Sequence, residues 1–535
     1  MTTDNRAAIW LLSPIALQIL DYLDDGDDAY AFLQAAPDGS LDDALDALRT
    51  LLAMDSELPL WPTAHIANLD KAYSMSPGVV TRALPAFKKI TVACSQDCPS
   101  ICHNTVLPPT TAVRSSVRDD VTSVRAALGK WLPNLVDFRI VSPSSVDFSA
   151  VVKDSLSSCP SLCSLTMDQQ EVFTQDAFDA ALTAVVATCR HVERISISSS
   201  KISHMSDWRS LLTWLAQPTA RHLELDSTDF PGALGTDLAA AMIVSNTLET
   251  IELLHMPSLT RAVTSPSSPP LLEQLRHLVI WDYIPEDDYD TYDDDDDDII
   301  PPPAFDEADM ASLARKLATS RLESLDLMLR VACDATSVLF ILLEVPTLTK
   351  FALQEANLTA FPPLMQLLHL ELSSVTFSDE AIASLAALLR SSPKLVQLDL
   401  GNDELPISQA DTIFCALPQW LSRRGTTCGV YLAIKSDACA NAFATALAQA
   451  HNAHKVKITV SAYGLSLAAK ALVVTALAST ARIALVFSGP QDPKIDAALE
   501  ACGRQHHLTI VYRKEYPQTA RQTWFHSPRN ALTTY

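Results

Sequence analysis

A six-residue apolar pattern, L-x-x-L-x-L, returns along most of this 535-residue chain at a nearly constant interval, and it constrains the fold more than any other feature. It is clearest at Leu395/Leu398/Leu400. It recurs at Leu135/Phe138/Ile140, Leu162/Leu165/Met167, Val192/Ile195/Ile197, Leu248/Ile251/Leu253, Leu275/Leu278/Ile280, Leu322/Leu325/Leu327, Leu348/Phe351/Leu353 and Leu367/Leu370/Leu372, with Ala220/Leu223/Leu225 keeping the last two positions. From residue 135 the first positions are spaced 27, 30, 28, 28 and 27 apart. A fixed period in this range marks a repeat array in which each unit buries its apolar face against its neighbours.

Positions 4 and 6 alternate with a polar residue, so they line one face of a short strand, and position 1 packs behind it. Helical segments lie between the strands. Ser378-Asp379-Glu380 begins one: the serine suits an N-cap and the acids suit the positive end of the helix dipole. Ile382, Leu385, Leu388 and Leu389 then form a stripe at helical spacing, and Pro393 ends the segment. Thr174 to Cys189 reads the same way. One strand and one helix per repeat predict an α/β solenoid with a parallel concave sheet and an outer layer of helices. Parallel strands are expected at Leu162–Met167, Leu248–Leu253, Leu322–Leu327 and Leu395–Leu400. A strand is also expected around Phe87/Ile90/Val92. After about Gly425 the copies weaken: Leu432/Ile434, Ile458/Val460, Leu485/Phe487 and Ile510/Tyr512 keep strand character, as worn repeats or a cap.

This pattern resembles the ribonuclease-inhibitor-like class of leucine-rich repeats, best carried by LLHLELSSVTFSDEAIASLAALLRSSPKLVQLDL at residues 367–400. The asparagine that the class places after the strand is mostly missing here. The resemblance implies a protein-binding array with no chemistry of its own.

Residues 1–80 lack the repeat and read as short helices. Ile15, Ile19 and Leu23 share a helical face with Leu20 beside it, and Asp27 or Asp28 suits the cap of a second helix burying Phe32 and Leu33. The segment resembles an F-box through Pro14, Ile19-Leu20, Tyr22-Leu23 and Asp24-Asp25, with Ser13 where that family has leucine. The resemblance implies a contact with the adaptor of a cullin-based ubiquitin ligase, made by Pro14, Ile15, Ile19, Leu20 and Leu23. The other reading is a helical cap over the first repeat of a free-standing scaffold. The division expected is a helical segment 1–80, repeats 81–424 with an acidic insert at 286–303, and degenerate repeats with a cap at 425–535.

The residues between the inward positions of the strands point away from the core: Arg139, Thr166, Ser196, Glu224, Glu252, Asp326, Glu371 and Asp399. They form a candidate target-binding row. Several are acidic, and the chain carries 63 Asp+Glu against 39 Lys+Arg, a net of −24. That charge argues against a general nucleic-acid binder or docking on anionic membranes, and favours basic protein partners. The longest late apolar stretch, Ala471 to Ala481, is too short to span a bilayer. No signal peptide is read, and eleven cysteines without a paired framework fit a reduced cytoplasmic or nuclear setting.

The remaining motifs read as structural. Cys94, Cys98, Cys102 and His103 lack the paired C-x2-C knuckles of structural zinc sites, so a loop with free or partly buried thiols is expected and no metal. The run from Glu286 to Asp298 lacks calcium-loop spacing and reads as a solvated insertion within a long repeat. No phosphate-binding glycine loop or nucleophile motif is present. The expectation is therefore no enzyme and no cofactor.

Overall fold

The computed structural model describes residues 13–23, 26–37, 39–54, 60–94, 99–117, 124–141, 159–169, 182–187, 189, 191–199, 209–227, 233–282, 307–329, 331–401, 405–423, 428–451, 455–462, 464–488, 492–514 and 521–527. The acidic insert and Cys98 lie outside them, as do the side chain of Cys94 and most of the helix expected from Thr174. Two compact units are present: Met1–Phe230 with Ser245–Leu248, and Pro231–Val244 with Glu249–Tyr535.

The first unit begins with the helices Ser13–Leu20, Gly26–Gln34, Asp43–Met54, Ile66–Met75 and Pro77–Ala83. Asp27 and Asp28 lie inside the first turn of the second helix rather than capping it, which still places their charge at the positive helix end. Leu20, Leu33, Leu48, Leu51 and Leu69 are buried, while Phe32 is only half-buried. The sheet then runs through β1 (Ala64–His65), β2 (Lys89–Cys94), β3 (Ala112–Val117), β4 (Leu135–Val141), β5 (Ser164–Gln169), β6 (Arg194–Ser199) and β7 (His222–Asp226), each parallel to the next. The sheet thus reaches back to Ala64, into the N-terminal segment. Phe138, Leu165, Ile195 and Leu223 stand side by side in register and are buried.

The second unit continues the same logic. β8 (Thr250–Leu254), β9 (His277–Trp281), β10 (Ser324–Met328), β11 (Lys350–Gln354), β13 (His369–Ser373), β15 (Gln397–Gly401), β16 (Cys428–Ala433), β17 (Val456–Ser461) and β18 (Ile483–Ser488) pair in parallel in that order. Ile251, Leu278, Leu325, Phe351, Leu370 and Leu398 make one buried row. Leu278 meets Leu325 directly although 47 residues separate the first positions of their repeats, so the acidic insertion leaves the ladder unbroken. The short repeat from 348 to 367 uses two-residue strands, β12 (Asn357–Leu358) and β14 (Thr376–Phe377), as a second small parallel sheet.

Helices supply the other layer. In Asp379–Ser391 the Ser378 hydroxyl accepts the Ala381 N–H at 3.1 Å, and Ile382, Leu385, Leu388 and Leu389 are buried. Ser436 and Ser466 cap Asp437–Ala448 and Leu467–Ala476 in the same way, each at 3.1 Å. The residue directly after four strands is left-handed without being glycine: Ser227 (φ 51°), His255 (57°), Glu355 (55°) and Ser374 (52°). This recurring turn replaces the asparagine turn of the resemblance.

One expectation needs correction at the C-terminal end. Val430 and Leu432, not Leu432 and Ile434, align with Leu398 and Leu400, because Gly429 rather than a side chain continues the outward row beside Gln397. Ile510 and Tyr512, read as a worn repeat or a cap, lie on a strand that joins the sheet through an antiparallel neighbour. β20 (Arg521–His526) enters antiparallel between β18 and β19 (Thr509–Lys514), pairing Leu485 and Ile510 with Phe525. Buried Trp524 and Phe525 fill opposite faces there, which closes the core after the last helix, Pro493–Gln505.

Candidate functional site

The outward row of the first unit is set by strand alternation. Arg139, Thr166, Ser196 and Glu224 are register neighbours on β4 to β7. Arg139 is exposed and forms an ion pair with Asp168 on β5. Ser196, expected to be displayed, is 5% exposed. A small hydroxyl between larger neighbours is covered by them, so this position presents little to a partner.

In the second unit one register row reads Glu252, Val279, Asp326, Ala352, Glu371, Asp399, Tyr431, Thr459. Three carboxylates therefore occupy three strands with only Ala352 interposed. Alanine leaves a notch between Asp326 and Glu371, and a groove of about 400 Å³ lies over it, lined also by Lys350, His369 and Gln397 in the adjacent row. The strand spacing crowds like charges, and the sheet removes water from them. The Asp399 carboxyl is pushed up to about 7, chiefly by burial and further by Glu371. Burial also raises Glu371, with help from Asp326. It raises Asp326 as well, opposed by the Trp281 indole N–H, which donates to Asp326 Oδ1 at 3.1 Å. His369 is lowered by burial and by Lys350. Such a row favours a cationic group, because each carboxylate has a like neighbour that a cation would neutralise.

Sequence reasoning named the three acids but missed Lys350 and His369, which line the groove, and Trp281, which donates to Asp326. Their signal was available: each lies two residues from a row position, on the same strand face.

At the N-terminal helices the five expected contact residues do not form one free face. Pro14 is exposed and Ile15 is 39% exposed, Ile19 and Leu23 are half-buried, and Leu20 is fully buried. Leu20 is thus a core residue of the unit and leaves the contact set. Tyr22, at 85% exposure, is the most open large side chain of this stretch. The segment is tied to the first strands: Trp61 Nε1 donates to the Leu23 carbonyl at 2.8 Å, the Trp61 ring lies 6.3 Å from Phe87, and Lys88 pairs with Asp21.

In the Cys/His run, Cys102 is buried in the short helix Ser100–Asn104 and His103 is exposed. No described helix is long and apolar enough to cross a membrane.

Fold and face together define a repeat-built α/β protein that displays polar rows on a parallel sheet flanked by helices. No protein-family model matches the chain, and no curated protein matches it. Among solved structures the chain is similar to one from the yeast Rad7 and Elc1 complex, at 13% identity over 79% of this chain and 91% of that chain, with a TM-score of 0.39.

Proposed function

We propose that this chain is a leucine-rich-repeat receptor of the ribonuclease-inhibitor-like class, and that it holds a basic segment of a target protein over β10 to β15. The observation that carries the reading is that Asp326, Glu371 and Asp399 share one register row, with only Ala352 between the first two, beneath a groove. A lysine or arginine side chain over Ala352 would meet carboxylates on both sides. The F-box-like N-terminal helices would present Pro14, Ile15 and the half-buried Ile19 and Leu23 to the adaptor of a cullin-based ubiquitin ligase, so that catalysis belongs to the partners. Substrate receptor and reduced intracellular setting go together in this reading.

A second reading is favoured by a specific observation. The contacts of Trp61 with Leu23 and of Lys88 with Asp21 are those of a cap over the first strands, and a free-standing scaffold needs only that. Co-purification with the adaptor separates the two. Ile15→Asp is expected to abolish adaptor capture while leaving the repeats folded, because a charge in an apolar interface costs several kcal/mol. A wild-type chain that never captures the adaptor supports the cap. Target binding is tested with a labelled oligo-lysine peptide: Asp399→Asn with Glu371→Gln is expected to weaken it at least tenfold, and unchanged binding overturns the basic-target reading.

A further inference from the structure

The second unit changes charge along its own sheet. The strands β8 to β11, β13 and β15 carry four carboxylates, Glu252, Asp326, Glu371 and Asp399, and one lysine, Lys350. The five strands β16 to β20 carry no Asp or Glu and four Lys or Arg: Lys457, Arg513, Lys514 and Arg521. The wider sequence agrees. Residues 425–535 hold eleven Lys or Arg against five Asp or Glu, a net of +6 in a chain of −24.

Among the described side chains, Lys457 on β17 is the one of these four whose charge the sheet face displays. Lys457 is exposed, in register between Gly429 on β16 and Ala484 on β18, two residues without reach. Its Nζ sits 4.9 Å from the centre of the Trp524 ring, which positions the ammonium on the sheet instead of leaving it to swing in solvent. Exposed Lys455 and Arg482 flank the same end of β17 and β18. Tyr431 lies beside Asp399 at the boundary between the two signs.

We infer that the sheet face around Lys457, with Lys455 and Arg482 at the same end of β17 and β18, is a docking surface for an acidic polypeptide segment, independent of the basic-target groove on β10 to β15. Charge complementarity selects the occupant. A polypeptide fits better than a nucleic-acid strand for two reasons. Trp524 is buried beneath Lys457 and offers no ring for base stacking. The Asp399 and Glu371 carboxylates one and two strands beyond Tyr431 would repel a continuous phosphate track, whereas a polypeptide confines its acids to one stretch.

The test is fluorescence anisotropy of a labelled deca-glutamate peptide with the full chain at low and high salt. Binding that weakens with salt and falls at least tenfold in Lys457→Glu is expected, with Asp399→Asn leaving it intact. Lys455→Glu, outside the strand, is expected to weaken the same probe, so a misfolded Lys457 variant does not decide the outcome. Absence of binding by the wild type, or binding by both lysine variants as tight as the wild type's, overturns the inference. So does tighter binding of an oligo-thymidine of equal charge with the same lysine dependence, which would make the surface a nucleic-acid site. The oligo-lysine probe reads the basic-target groove separately, so either proposal can fail alone.

Discussion

Trp420 donates its indole N–H to the main-chain carbonyl of Leu395, 3.2 Å away and one repeat earlier. Leu395 is the first residue of its repeat motif, and the same bond recurs elsewhere: Trp214 Nε1 donates to the carbonyl of Val192 at 2.9 Å, and Thr347 Oγ1 to that of Leu322 at 2.8 Å. In these three repeats the position two residues before the strand has its carbonyl satisfied by a side chain of the next repeat, which locks neighbours together and supplies a partner that the strand ladder cannot.

The two tryptophans differ in a way that predicts unequal effects. The Leu395 carbonyl also accepts from Arg423, whose guanidinium lies 5.5 Å from the Trp420 ring centre. Trp420→Phe therefore leaves that oxygen a donor. Trp214→Phe removes the bond shown to Val192 and is expected to cost about 1–3 kcal/mol, the range for stranding a buried polar group. Denaturant unfolding of the two variants checks this; a larger loss for Trp420→Phe would contradict it.

The left-handed residues after the strands carry backbone strain of about 1–2 kcal/mol each, offset in a glycine variant by its greater unfolded-state freedom of about 0.5–1 kcal/mol. Ser374→Gly and Glu355→Gly are expected to raise the melting temperature, and Ser374→Val to lower it. Gly129 shows the opposite case. Its φ is 50°, and a Cβ there would lie 2.8 Å from His103 Nδ1 and 2.9 Å from the Cys102 carbonyl oxygen. Gly129→Ala and Gly129→Asn are both expected to be destabilising, since asparagine's tolerance of the left-handed region does not relieve the clash at Cβ.

Asp399 makes stability and binding depend on pH in opposite directions. Its carboxyl titrates near 7 in the folded chain against 3.8 ordinarily. Between those values the unfolded chain loses the proton and the folded chain keeps it, so folding binds a proton and stability falls as pH rises toward 7. Below about 3.8 the effect vanishes. Asp399→Asn is therefore expected to raise the melting temperature at pH 8 and to change it little at pH 3.5. Oligo-lysine binding is expected to strengthen as pH rises through 7, because the carboxylate form is the one that attracts it. A variant equally stabilising at both pH values would refute the titration argument.

Lys316 is a buried cation with no carboxylate partner in contact among the described residues. Its ammonium donates to the carbonyls of Val263 (2.7 Å), Ser268 (3.2 Å) and Pro269 (3.2 Å) and to the Ser268 hydroxyl, tying the helix Glu307–Leu317 to the end of Pro257–Thr264. Lys316→Ala is expected to lose several of these at once, about 2 kcal/mol or more, and Lys316→Met slightly less because it keeps the packed stem. Hydrogen exchange at residues 259–268 is the readout, and unchanged protection there would count against the tie.

The strand positions and their inward residues were legible in the sequence because alternation and period depend only on chain geometry: a residue two positions along a strand faces the same way in any fold. For the same reason Leu278 and Leu325 could be assigned one row across the acidic insertion, and Asp326, Glu371 and Asp399 could be named as outward residues. Pairing and burial were decided by tertiary structure. Alternation does not say which neighbour a strand takes, so nothing in ARQTWFHS separates a further parallel repeat from the antiparallel β20 that enters between β18 and β19. An apolar helix face does not say which of its residues meet the core, and Leu20 went inward while Ile15 stayed out. The shifted carboxyls, too, arise only when the sheet sets Glu371 beside Asp399, 28 residues further along the chain, and takes water from both.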